Sequence, residues 1–119
     1  MKINRQAVYN KYSGHCAYCG KVITLKEMQV DHIVPKARGW KLSNVNDYSN
    51  LASSCLSCNH YKRQHSLEGF RKHYIGKLHK RLAKLYIVRV ALDYKIVTLQ
   101  KWDRRFYFEM VNSETEQER

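Results

Sequence analysis

Acidic residues are scarce in this 119-residue chain: ten Asp and Glu stand against 22 Lys and Arg, for a formal net charge of +12. That balance excludes an anionic surface and predicts a field that draws polyanions, with nucleic acid the commonest partner. A basic protein without a nucleic-acid role is the alternative on charge alone. Long apolar runs are missing as well. No stretch of about 18 apolar residues exists, which excludes a membrane-spanning helix. The opening residues, MKINRQAVYNKY, lack the apolar core of a signal peptide. Proline occurs once, at Pro35, and glycine five times, so neither a low-complexity linker nor an internal repeat is present. Hydrophobic residues make up 44%, as expected of one folded domain, or of one small domain with an extension. The expected setting is intracellular, where thiols stay reduced and paired cysteines favour metal over disulfide.

Against these absences, four cysteines are placed with evident order. Cys16-Ala17-Tyr18-Cys19 and Cys55-Leu56-Ser57-Cys58 are two CxxC pairs separated by 35 residues. Each pair brings two thiolates to one ion, and two pairs complete a closed four-thiolate site, so structural Zn2+ is the reading. A redox-active CxxC, or four unrelated buried cysteines, is the alternative. The gap exceeds the usual ribbon spacing of roughly 15–20 residues, which leaves room for other elements inside the clamp. Four zinc-bound thiolates would lower the net charge only to about +10. A chain this short buries a limited core, so a zinc site worth on the order of 10 kcal/mol would matter to folding.

Residues 4–13 read as a short helix with Ala7, Val8 and Tyr12 on one face, Asn4 as its cap and Gly14 as its stop. Gly20 suits a tight knuckle after the second cysteine. Thr24 and Glu27 have the spacing of a capping box around one helical turn. Met28 to Val34 alternates up to Asp31 and stops at Pro35, which predicts a strand with Asp31 and His32 near its end. Residues 35–49 are loop, made basic by Lys36, Arg38 and Lys41 and carrying Trp40. Asn50 to Ser54 is a second short strand, and a helix is expected from about Cys58. From Leu67 the spacing of Leu78, Leu82, Leu85 and Leu92 predicts a longer basic helix, with breaks possible at Gly69 and Gly76. Lys95–Leu99 and Phe106–Val111 read as strands of a hairpin, and the polar tail NSETEQER as frayed.

Phosphodiester hydrolysis needs an activated water, a cation on the developing charge and help for the leaving oxygen. His32 suits a general base because imidazole titrates near pH ~6.5. Asp31 is a hard oxygen ligand suited to Mg2+ or Mn2+, and Asn59 offers a neutral amide oxygen to the same ion. His60 competes with Asn59, but adjacent helical residues point about 100° apart, so only one faces the ion. Adjacent strand residues also point to opposite faces. Asp31 and His32 can therefore serve one phosphate only if the strand end twists or the two flank the substrate.

The series CxxC–DHIVPKARG–SNL–CxxCNxxK resembles the HNH endonuclease family in its zinc-stapled branch. It covers roughly Gly14 to Arg63. The resemblance implies a small α+β, ββα-metal (His-Me finger) fold over residues 1–66 and a basic helical extension with terminal strands over 67–119. It also implies His32 as general base, Asp31 and Asn59 as ligands of one catalytic Mg2+ or Mn2+, and Cys16, Cys19, Cys55 and Cys58 as the zinc ligands. Asn50 matches the Asn that ties the connecting loop together and orients the base through its backbone carbonyl. Asn59 directly follows the last zinc cysteine, as in phage junction resolvases of the endonuclease VII type, which makes a phage source one setting. Lys62 matches the basic residue of CNxxK, and with Lys36, Arg38, Lys41 and Arg63 it is a candidate contact to double-stranded DNA. Two further readings stand beside this one: a zinc-stapled nucleic-acid-binding module without catalysis, and a nuclease subunit of a phage packaging or defence assembly.

Overall fold

The chain enters the fold through α1 (Arg5–Lys11), whose first free amide is met by the Asn4 side chain, 3.1 Å from the Ala7 nitrogen. Val8 and Tyr12 are its buried face. The computed structural model describes residues 3–36 and 44–118, with side chains as far as residue 112; Arg38, Trp40 and Lys41 lie outside the described residues. After α1 the first cysteine pair sits on a tight knuckle, closed by the Cys16 amide on the Lys21 carbonyl (2.8 Å) and the Gly20 amide on the Cys16 carbonyl (2.9 Å). Gly20 has φ +84°, and a Cβ there would lie 2.9 Å from the Tyr107 ring, so the position needs glycine for conformation and for space. Thr24 and Glu27 form the expected reciprocal capping box, at 2.8 and 3.2 Å.

Strand β1 (Gln29–His32) pairs antiparallel with β2 (Leu51–Ser54), with Asp31 opposite Ala52 and His32 opposite Leu51. The other edge of β2 is held by the knuckle, where the Ala17 amide reaches the Ser53 carbonyl at 2.7 Å. All four β2 residues are buried. Two of them are serines, tolerated because the Ser53 hydroxyl donates to the His15 carbonyl and the Ser54 hydroxyl to the Cys55 carbonyl. Helix α2 (Leu56–Lys62) then packs against β1, completing a ββα unit in an α+β chain. It starts two residues before the position expected from sequence, because Cys55 is its cap: the Cys55 sulfur accepts from the Cys58 amide at 3.3 Å.

Beyond α2 the expected long helix is broken. A single turn, α3 (Leu67–Gly69), runs into a π-helical turn (Phe70–Tyr74) and a 3-10 turn (Ile75–Lys77) before α4 (Leu78–Ala83). Gly76 permits this tightening, since a Cβ there would lie 2.6 Å from the Arg71 carbonyl oxygen. Leu85, with ψ 125°, separates α4 from α5 (Tyr86–Asp93), so Leu78, Leu82, Leu85 and Leu92 do not share one continuous stripe.

The expected terminal strands are also corrected. Lys95–Leu99 forms no strand, and Phe106–Val111 belongs to the start of α6 (Tyr107–Glu118). Tertiary partners decide this. The Tyr107 and Phe108 amides donate to the Tyr18 and Ala17 carbonyls at 3.1 and 2.8 Å, and Glu109 reaches back to the Phe106 amide at 2.8 Å. Phe106 and Phe70 enter the core beside Tyr18, with ring centroids 5.3–5.5 Å apart. Arg71 locks the turn by a bidentate pair with Glu109, at 2.7 and 2.8 Å. By contrast α5 leaves Tyr86 and Ile87 about three-quarters exposed. Among the described residues no helix is long and apolar enough to cross a membrane.

Candidate active site and metal centre

Two donor sets lie on either side of the Cys58-Asn59 peptide bond. In the first, the sulfurs of Cys16, Cys19, Cys55 and Cys58 all fall within 4.8 Å of one another, and Cys19 and Cys55 are 3.9 Å apart. A tetrahedron of thiolates about Zn2+, with Zn–S near 2.3 Å, has edges of about 3.8 Å. The electrostatics ask for a cation. Hydrogen bonds from the Cys19 and Cys58 thiols hold Cys16 far below the ordinary thiol range, while those same contacts push Cys19 and Cys58 above it. Four sulfurs this close cannot all be thiolates without a positive ion among them. The residues fit zinc, and the knuckle and the α2 cap each supply two of them.

The second set begins at the end of β1, where Asp31 and His32 are neighbours. Asp31 is 6% exposed and its partners converge on one oxygen: the Tyr18 hydroxyl donates to Oδ2 at 2.5 Å, and the Lys62 ammonium lies 3.0 Å from the same atom. Burial, then the Asp31 charge, pushes the Tyr18 phenol well above its usual value, so it remains the donor. Among the described residues no fully buried side-chain oxygen lacks a partner, and no hydrogen bond goes to Asp31 Oδ1. Both donors among the described residues are therefore on Oδ2, and Oδ1 is the oxygen they leave without one.

His32 is half-buried, with Nε2 2.7 Å from the Asn46 side-chain oxygen. Asn46 is itself held by its backbone amide on Asn44 Oδ1 at 3.0 Å. Asn50, 8% exposed, spans the base of the loop. Its amide accepts from the Val34 nitrogen at 2.8 Å and donates to the Val34 and Val45 carbonyls at 3.0 and 2.9 Å. Its backbone carbonyl accepts from Ile33, next to His32, at 2.9 Å. One side chain therefore closes both ends of the loop. Lys11 adds a second tie, donating to the Tyr48 and Leu51 carbonyls at 2.9 Å each.

Asn59 lies three residues before Lys62 on α2, the spacing that puts two side chains on one helix face. Lys62 reaches Asp31, so Asn59 is on the β1-facing side, half-buried, whereas His60 is exposed. The Asn59 backbone amide donates to the Cys55 carbonyl at 2.9 Å, and its side-chain amide makes no hydrogen bond among the described residues. Arg63, exposed at φ 50°, ends the helix, and Lys36 is exposed at the start of the loop.

Lys62 corrects the sequence reading. Its side chain is fully buried, with its ammonium paired to Asp31 and donating to the His32 carbonyl at 2.9 Å. It is not presented to a phosphate. Tyr18 and Asn46 were not singled out from sequence. Tyr18 sits between the first two cysteines, where a knuckle beside a buried carboxylate would place a donor. Asn46 carried no local signal.

Comparison with known proteins finds matches over the stretch that carries both donor sets. The family model described as HNH endonuclease matches residues 16–65. The CRISPR-associated endonuclease Cas9 of Corynebacterium diphtheriae is 43% identical over 47 residues, which are 40% of this chain and 4% of that protein. The chain thus matches a small part of a much longer relative. No solved structure matches.

Proposed function

From the match of residues 16–65 to the HNH endonuclease family model and the geometry of the site, we propose that this chain is a metal-dependent endonuclease hydrolysing DNA phosphodiester bonds. The observation that carries the reading is the pair at the end of β1. Asp31 is anchored through one oxygen, with no donor on the other among the described residues, and the adjacent His32 is half-buried with Nε2 on the Asn46 side chain. Asp31 and Asn59 would hold Mg2+ or Mn2+, which when bound supplies charge stabilisation to the phosphoryl group and the departing 3′ oxygen. Neutral His32 accepts a proton from the attacking water at an imidazole nitrogen while Asn46 fixes the ring. The water oxygen bonds to phosphorus, the P–O3′ bond breaks, and the 3′ oxygen leaves to be protonated. Asn50 keeps the loop closed behind the base. The four-cysteine zinc is coordinatively closed and has a structural role. Lys36 and Arg63, with Arg38 and Lys41, contact the phosphate backbone of the duplex, where lysine and arginine supply most sequence-independent affinity.

The test is conversion of supercoiled plasmid to nicked or linear product with Mg2+ or Mn2+, using protein whose zinc content has been measured. Product that disappears on brief EDTA treatment, with zinc retained, supports the reading. DNA binding without product in either ion would leave a zinc-stapled binding module. The match to a small part of a long endonuclease favours a second reading, in which the domain cuts only within a larger assembly. Cleavage by the isolated chain would oppose it.

A further inference from the structure

Lys62 is the largest fully buried side chain among the described residues, and burial of a lysine ammonium is costly unless something specific repays it. Here one ammonium makes two contacts with different parts of the site. It lies 3.0 Å from Asp31 Oδ2 and 2.9 Å from the His32 carbonyl oxygen, 6.0 Å above the Tyr18 ring. The Tyr18 hydroxyl occupies the same Asp31 oxygen at 2.5 Å. From this we infer that Lys62, with Tyr18, is a positioning residue that keeps Asp31 a single-oxygen ligand and lowers the site's affinity for divalent cations. The inference rests on the reading of Asp31 as a ligand of the catalytic ion.

Oδ2 carries two donors, so a cation arriving from solvent meets Oδ1 alone, and bidentate binding would require breaking both contacts. That geometry suits a small octahedral ion that keeps most of its water, and it disfavours a larger ion such as Ca2+, which readily takes both oxygens. The ammonium also repels a cation across a few ångströms of poorly solvated protein, so part of the carboxylate's charge is already neutralised before metal arrives. The ion is held weakly enough to exchange. Through the His32 carbonyl, the same ammonium fixes the backbone of the base relative to the carboxylate, so ligand and base are set by one group. Sequence spacing makes this possible, because Lys62 lies one helical turn after Asn59 and so shares its face.

The inference separates metal affinity from cleavage, and a merely structural lysine would not. The experiment is calorimetric titration of zinc-loaded protein with Mn2+ and with Ca2+, on wild type, Lys62→Met, Tyr18→Phe and Asp31→Asn, alongside plasmid cleavage. Lys62→Met is expected to bind Mn2+ about tenfold tighter and to gain more for Ca2+, while cleaving at least about tenfold more slowly. Tyr18→Phe keeps the ring in the core and frees one donor position, so it should tighten Mn2+ binding by a smaller factor. Should Lys62→Met lose its zinc or its fold, Tyr18→Phe decides alone: tighter binding supports the inference and unchanged binding overturns it. Mn2+ affinity that stays level or falls in Lys62→Met, with cleavage lost, also overturns it. Wild-type Mn2+ binding that Asp31→Asn leaves intact would instead refute the assignment of Asp31 to the ion, a distinct failure.

Discussion

Phe106 is one of the residues through which the C-terminal part of the chain reaches Tyr18, and truncating it gives a worked prediction. The side chain is 2% exposed and its ring centroid lies 5.3 Å from those of Phe70 and Trp102 and 5.5 Å from that of Tyr18. The Arg71 guanidinium covers it at 4.9 Å. A buried Phe→Ala change costs about 3–5 kcal/mol in transfer and cavity terms. For a chain of this size that corresponds to a melting point lowered by about 12–20 °C. The assay is thermal and urea unfolding in excess zinc, with Ile87→Ala as control, since Ile87 is 76% exposed and should move stability by less than about 0.5 kcal/mol. Because Phe106 supports the Tyr18 ring and Tyr18 holds Asp31, the variant should also lose cleavage at temperatures where it remains folded. A loss under about 1 kcal/mol would refute the view that residues beyond 66 belong to the same core.

Other outcomes follow from the buried pair, the zinc site and the α6 turn. Asp31→Leu should cost about 3–5 kcal/mol by leaving the Lys62 charge unpaired, and the double variant with Lys62→Met should recover most of it in denaturant unfolding. Cys16→Ser should lose bound zinc and cooperative melting together, against one zinc per wild-type chain by elemental analysis. The Arg71 hydrogen bond holds the Glu109 carboxyl below its ordinary value. Its contribution is therefore present above the unfolded carboxyl value near pH ~4.3 and lost as pH falls through the lower folded value. Glu109→Gln should flatten that part of the stability–pH curve.

Signals carried by a few adjacent residues were legible in the sequence. Asn4 as cap, the Thr24 and Glu27 box, the two short strands and the cysteine pairs each depend on near neighbours or on strict ligand spacing. Features settled by distant partners were not. Phe106–Val111 alternates like a strand, yet the Tyr18 and Ala17 carbonyls take its first amides and start a helix. The leucine spacing suggested one helix, but the chain turns extended at Leu85. Lys62 reads from sequence as a candidate DNA contact because nothing local reveals that α2 lays it over a carboxylate. At the site, Asp31, His32, Asn50 and Asn59 were all visible as residue types in order. Their support by Tyr18, Asn46 and Lys62 exists only once β1, the knuckle and α2 are packed.

Side-by-side cleavage of supercoiled plasmid by wild type and His32→Ala, in Mg2+ or Mn2+, tests the central claim most directly. Among the described residues the His32 side chain makes one hydrogen bond, to Asn46, so the variant should keep its zinc, its melting point and its DNA affinity. The account predicts product from wild type and at least a hundredfold loss in the variant, in line with the roughly 10²–10⁴-fold worth of a positioned general base. Equal cleavage by the two proteins would contradict it.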